Sequence, residues 1–262
     1  MTTWDIFFRG LPGIGLINRG DNLASIIATA AEGDQLALAD HDVVVIAQKV
    51  VSKAEGRVVD LATVTPSPRA LRLAERTGRD PRVCQLYLIE SRAVLNVKGR
   101  HVVTIDNRGF QATGAGVDLS NVGPRGEGRA VLLPVDPDAS ARRIRDGLRQ
   151  RAGVTVAVII SDSFGSDVRD GAIGAAIGIA GIRHLEEPEG EHDLFGNPIQ
   201  PVMNRVDEIA SAASIVMGQT DAALPVIVAR GVRYTVDEDA AISRLLVGPP
   251  LPVTDFDLLG DF

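Results

Sequence analysis

The stretch VTVAVIISDSFGSDVRDG, residues 154–171, opens on a β-branched apolar run and then turns abruptly polar. Such a run bounded by turn residues is the pattern of a strand buried on both faces, and it predicts a central strand over residues 154–160. DVVVIA, residues 42–47, repeats the pattern and predicts a second one. Between them, residues 67–78 start Ser-Pro and close on Gly, and in residues 136–150 Asp136 can cap while Pro137 takes the first helical position. Both are expected to be helices. In the second, Ala141, Ile144 and Leu148 form one apolar stripe with arginines opposite. A third helix is expected over residues 205–217, where Val206, Ile209, Ala210, Ala213, Val216 and Met217 share a face and Gly218 ends it. The segment AIGAAIG, from residue 172, also looks helix-like. Strands alternating with helices in this way predict an α/β fold.

The composition agrees with a folded globular chain. Of 262 residues, 45% are hydrophobic and 23% charged, enough for one large domain or two small ones. With 27 Lys and Arg against 34 Asp and Glu, the net charge of −7 repels polyanions, so nucleic acid is not an expected partner. The single cysteine, Cys84, excludes an intrachain disulfide and a Cys-rich zinc site, and its setting in PRVCQLYLIESRAV reads as a helical core thiol. No basic, apolar leader opens the chain, and the apolar run at residues 172–182 is too short for a bilayer, so a cytoplasmic protein without a membrane partner is expected. Residues 1–246 read as one catalytic unit and residues 247–262, rich in Pro, Gly and Asp, as a tail.

Four loops combine Gly with Asp, Ser, Asn or Lys directly after apolar runs, the place where α/β sheets collect ligands. AQKVVSKAEGR, residues 47–57, sets Lys49 and Lys53 four apart with Ser52 between, so the two ammonium groups could converge on phosphate oxygens or could simply face solvent. ATGAGVDLSNVG, residues 112–123, places Asp118 and Asn121 in a Gly-rich turn. Asp162 and Ser163 follow the most apolar strand, where a carboxylate needs a compensating cation or donors. Hard oxygen ligands of this kind suit Mg²⁺ or Mn²⁺ held partly by phosphates; alternatively Asp162 caps a following helix and Asp118 a turn. VMGQTDAALP, residues 216–225, offers Gln219, Thr220 and Asp221, or is an ordinary connection. No Walker A, GxGxxG or GxSxG pattern occurs, and His41, His101, His184 and His192 show no zinc-ligand spacing.

Taken in order, GLPGIGLINRGDNL, DVVVIAQKVVSKAEGR, GAGVDLSNV, LLPVDPDASA, VAVIISDSFG, DEIASAAS and PVIVARG resemble the coenzyme F420 gamma-glutamyl ligase family from residue 4 to about residue 235. The resemblance implies mixed α+β sheets in a fold of the family's own type, neither P-loop nor Rossmann, and a homodimer. It implies a GTP-dependent ligase joining L-glutamate to coenzyme F420-0, a phospholactyl-deazaflavin, through an acyl phosphate, with further γ-linked glutamates within its scope. It also implies two divalent sites for Mg²⁺ or Mn²⁺, with K⁺ as a further ion. By the same resemblance, Asp118 and Asp162 match divalent-metal ligands, and Ser163 and Gln219 match ligands of a second metal. Leu11, Pro12, Gln48, Lys49, Lys53 and Asn121 match GTP-binding positions, as do Met217, Gly218, Gln219, Thr220, Asp221, Ala222, Ala223 and Leu224. Lys53, Asp118 and Asp162 are the expected catalytic residues. Relatives usually read like GRxWR where this chain has GSDVR, residues 165–169, so Ser166 and Asp167 leave acceptor recognition to another cation, Arg169 being the nearest. A divergent member that binds nucleotide or deazaflavin without ligating, or that uses another acceptor, is the alternative.

Overall fold

The computed structural model describes residues 4–123, 128–165, 170–187, 190, 192–198 and 202–246; the tail, Ser166, Asp167 and Arg169 lie outside the described residues. The first half of the chain runs β1 (Phe7–Gly10), α1 (Leu23–Gly33), β2 (Val43–Ala47), α2 (Gln48–Ala54), β3 (Val58–Asp60), α3 (Pro68–Thr77), α4 (Pro81–Glu90), β4 (Ser91–Lys98), β5 (His101–Asp106) and β6 (Gln111–Thr113). The second half runs β7 (Arg129–Val131), α5 (Pro137–Ala152), β8 (Ala157–Gly165), β9 (Ala172–Ala180), α6 (Arg205–Met217) and β10 (Val226–Arg230).

Five strands form the main sheet in the order β1-β10-β2-β8-β9. Only the β2/β8 pair is parallel; β10 runs antiparallel to β1 and β2, and β9 antiparallel to β8. This mixed sheet is the α/β class expected, and its single parallel pair separates it from the doubly wound parallel folds. Residues 43–46 and 157–160 have no exposed surface, as their unbroken apolar pattern requires. The helix ends follow the capping residues. Ser67 accepts from the Ala70 amide and Asp136 from the Ala139 amide, while Gly78 and Gly153 close α3 and α5 in the left-handed conformation. Ala141, Ile144 and Leu148 are buried against the sheet.

Two sequence expectations need correcting. AIGAAIG is part of β9, not a helix. Its small residues recur because helices press on the strand. A Cβ on Gly174 would lie 2.5 Å from the Ala210 carbonyl of α6, and one on Gly178 would lie 2.5 Å from Pro137 at the start of α5. The strand predicted over residues 154–160 instead runs Ala157–Gly165, so Asp162 is inside β8, paired with Ala175, and caps no helix. The pairing shifts register between Ile160 and Ser161, a β-bulge that re-aims the side chains after it.

A second, smaller core lies under α3 and α4, with Leu61, Leu73, Leu86, Tyr87, Val102 and Leu132 packed around the buried Cys84. Beside it stand the three-stranded sheet β4-β5-β6 and the β3/β7 pair. Arg57 bonds the two carboxylate oxygens of Glu90 at 2.8 Å each, and its Nε donates to the Leu133 carbonyl at 3.0 Å. Because β2 and β8 are parallel, their carboxyl ends emerge on one side. The antiparallel β10 brings its amino end to the same place, where Ala47 N–H donates to the Pro225 carbonyl at 2.9 Å.

The tightness of the α5/β9 contact gives a direct test of the packing. Gly178→Ala must push its Cβ into Pro137 backbone and is expected to lower unfolding stability by about 2 kcal/mol, measured in urea. An unchanged midpoint and slope would contradict the close approach.

Candidate active-site cleft

Where the β2 and β8 ends meet the start of β10, a cleft of about 860 Å³ opens. Its walls come from residues 14–17, the first turns of α2, residues 113–123, residues 161–163 and residues 214–225. Every one of the four loops singled out in the sequence reaches it.

The GAG turn after β6 sets the approach of Asp118. Gly114, Ala115 and Gly116 have φ of 58°, 53° and 71°, and the Ala115 amide is held by Thr104 Oγ1 at 2.9 Å. Side chains are excluded at both glycines: a Cβ on Gly114 would lie 2.6 Å from the Tyr87 ring and one on Gly116 2.5 Å from Leu133. Two-way backbone bonding with Val131, at 3.0 and 2.8 Å, then fixes Asp118. Asn121 and Ala223 also have positive φ, 54° and 53°, so strained backbone gathers around this cleft.

The charged groups converge. Lys49 Nζ is 2.7 Å from Asp118 Oδ2 and donates to Ser120 Oγ at 2.6 Å, while the Ser120 amide bonds Asp118 Oδ1 at 2.6 Å. Burial pushes the Asp118 carboxyl up, yet the Lys49 ammonium and the Ser120 amide outweigh it and hold it below the usual carboxylate range. Asp118 therefore stabilises its turn and also faces the cleft. Lys53 Nζ donates to the Asn121 carbonyl at 2.6 Å, and Asn121 Nδ2 donates to the Thr220 carbonyl at 3.3 Å, tying α2 to two loops. Burial, together with the neighbouring Lys49 charge, lowers the Lys53 amine; Asp118 opposes this in part.

Asp162 is the most perturbed carboxylate there. Burial pushes it up to about 6; the Asp118 charge adds to the rise, and a backbone bond from Ser163 and the Lys49 charge oppose it. Ser163 Oγ and Gln219 Oε1 are 2.9 Å apart. Among the described residues no three His, Cys, Asp or Glu side chains cluster to form a complete metal cage. Two carboxylates suit a hard divalent cation that completes its shell with water or phosphate, and the paired hydroxyl and amide oxygens of Ser163 and Gln219 suit a second. A carboxylate pushed up by burial beside a second carboxylate is a setting that a cation relieves.

Gln48 is buried, with Oε1 accepting from Ser52 Oγ at 2.9 Å and Nε2 without a partner among the described residues. Met217, Gly218, Gln219, Thr220, Asp221, Ala222, Ala223 and Leu224 all line the cleft. Leu11 and Pro12 do not: Leu11 is fully buried in the core, its amide bonded to the Val226 carbonyl, and Pro12 borders a neighbouring groove along α1. Residues 14–17 line the cleft in their stead, along with Thr113, Ser161 and Ser214. These residues fall within the stretch GLPGIGLINRGDNL that carries the family resemblance, which matched Leu11 and Pro12 to binding positions and not residues 14–17.

The chain matches the family described as F420-0:Gamma-glutamyl ligase over residues 13–231. It is 42% identical to the coenzyme F420:L-glutamate ligase of Methanothermobacter thermautotrophicus over 223 residues, covering 85% of this chain and 87% of that one. The enzyme of the same name from Methanopyrus kandleri is 42% identical over 89% of this chain and 91% of its own length. That from Methanocaldococcus jannaschii is 40% identical over 80% and 81%.

The raised Asp162 carboxyl makes the cleft a source of instability when it holds no cation. Its folded value near 6 lies above the roughly 3.9 of an unfolded Asp. The folded state therefore takes up the proton first, so this group favours folding most below about pH 4 and loses that contribution as pH rises through about 6. In metal-free, nucleotide-free protein, Asp162→Asn is expected to gain about 2 kcal/mol over wild type near pH 7.5 and almost nothing near pH 4. A variant less stable than wild type near pH 7.5 would contradict the buried-charge assignment.

Proposed function

The chain belongs to the F420-0:gamma-glutamyl ligase family, and from that premise we propose that it joins the carboxylate of coenzyme F420-0 to the amine of L-glutamate, converting GTP to GDP and phosphate. The observation that carries the proposal is the convergence of Asp118, Asp162, Lys49 and Lys53, with Ser163 and Gln219, in one cleft large enough for a nucleotide. No covalent nucleophile is required. The free thiol, Cys84, is buried in the second core, away from the cleft walls.

Amide formation from a carboxylate in water needs an activated acyl group. The acceptor carboxylate attacks the γ-phosphorus, the bond to the β-phosphate oxygen breaks and GDP leaves. The neutral glutamate amine then attacks the acyl carbon, phosphate departs with the bonding pair of the C–O bond, and the proton lost from nitrogen goes to the departing phosphate, leaving a neutral amide. Such transfer depends on positioning and on neutralising charge. Asp118 and Asp162 would hold one Mg²⁺ or Mn²⁺, and Ser163 and Gln219 would contribute to a second, the charge of which when bound screens the phosphate oxygens. Lys53 supplies a fixed cation: its ammonium is anchored on the Asn121 carbonyl, and its other protons can be offered to a phosphate oxygen. Gln48 offers its unpartnered Nε2 hydrogens to a ligand acceptor. The loop at residues 218–224 and the segment at residues 14–17 line the cleft that would receive the nucleotide. A homodimer and a cytoplasmic location belong to the same reading. Among the described residues no helix is long and apolar enough to cross a membrane.

Purified protein given GTP, coenzyme F420-0, L-glutamate and Mg²⁺ or Mn²⁺ is expected to yield a product heavier by one glutamyl unit, with GDP released in step. Asp118→Asn should abolish turnover, and Lys53→Met should lower kcat about 100-fold. Nucleotide binding without acceptor-dependent GDP release, under either metal, would replace the ligase by a non-ligating binding protein.

A further inference from the structure

Lys49 stands apart from the other groups of the cleft because its partner is the carboxylate proposed to hold a metal. Its Nζ contacts both Asp118 Oδ2, at 2.7 Å, and Ser120 Oγ, at 2.6 Å. The two charged side chains are only 24% and 33% exposed, so the pair is partly shielded from solvent. Lys53, one turn further along α2, is engaged with the Asn121 carbonyl instead, so among the described residues Lys49 is the cation in contact with Asp118.

We propose that Lys49 is an internal competitor for the divalent cation at Asp118, a positioning residue that keeps this carboxylate occupied until a nucleotide supplies another anion for the ammonium. The inference rests on the metal-and-nucleotide reading given above and adds an order of binding to it. A cation approaching Asp118 in the nucleotide-free protein must first displace an ammonium from a partly buried contact, and would then leave two like charges close together. Nucleotide phosphates remove both penalties. Lys49 can turn from the carboxylate to a phosphate oxygen, and the cation then meets Asp118 together with phosphate ligands. Metal and nucleotide binding are thereby coupled, each tightening the other by the same factor.

Mn²⁺ binding followed by the electron paramagnetic resonance of the free ion tests this without turnover. In the absence of nucleotide, Lys49→Met is expected to bind Mn²⁺ at least 10-fold more tightly than wild type. Lys49→Arg, which keeps a cation on the carboxylate, should bind as weakly as wild type. Adding Asp118→Asn to Lys49→Met should erase the gain, which places it at this carboxylate. GDP should tighten Mn²⁺ binding in wild type by a larger factor than in Lys49→Met. Lys49 lies on the first turn of α2 with part of its side chain in solvent, and an unchanged melting temperature for Lys49→Met would confirm an intact fold. Equal nucleotide-free Mn²⁺ affinities in wild type and Lys49→Met would overturn the competition while leaving the ligase reading intact. If neither protein binds Mn²⁺ even with GDP, the metal reading of the cleft fails and the competition fails with it.

Discussion

Beyond Ala157–Ile160, four residues with no exposed surface, β8 does not end but carries a carboxylate into the rim of the sheet. Asp162 there is pushed up to about 6, with Asp118 adding to the rise. Two acidic groups whose charges repel, both partly withdrawn from solvent, stay ionised together most readily when positive charge is brought to them. The surroundings of the cleft answer that demand: Lys49 contacts Asp118, Lys53 stands one turn further along α2, and hydroxyl and amide oxygens at Ser163 and Gln219 face the same space.

The sheet supplies the geometry. A single parallel pair puts the ends of β2 and β8 side by side, and the antiparallel β10 turns the loop after α6 back toward them. Left-handed backbone at Ala115, Asn121 and Ala223 then bends the flanking loops over the cleft. Small residues on β9 let α5 and α6 pack close to the strand, so the wall that carries Asp162 is braced from behind.

Much of this was legible in the sequence because local chemistry and fold agree. The β-branched runs became buried strands, and Ser67, Asp136, Gly78 and Gly218 mark helix ends where capping chemistry puts them, while α5 runs two residues past the expected end to close on Gly153. AIGAAIG misled because alternating small residues fit the contact face of a helix as well as a strand pressed by helices, and only the pairing with β8 decides between them. The extension of β8 to Gly165 was hidden by polar residues that in a half-buried strand simply alternate sides. In the site, the four polar loops were readable one by one, but the Lys49–Asp118 contact joins segments distant in the chain and has no local signature. Leu11 illustrates the reverse case. A position matched by resemblance is placed by packing in the core, and the neighbouring residues 14–17 line the cleft.

The central claim is that Asp118 and Asp162 converge to hold a divalent cation against nucleotide phosphates. Crystals grown with GDP and Mn²⁺, with diffraction recorded at the manganese absorption edge, test it most directly. An anomalous peak within coordination distance of both carboxylates and a phosphate oxygen, with Lys49 turned from Asp118 to the nucleotide, is the expected result. GDP bound in the cleft with no manganese at either carboxylate, or manganese bound elsewhere on the chain, would contradict it.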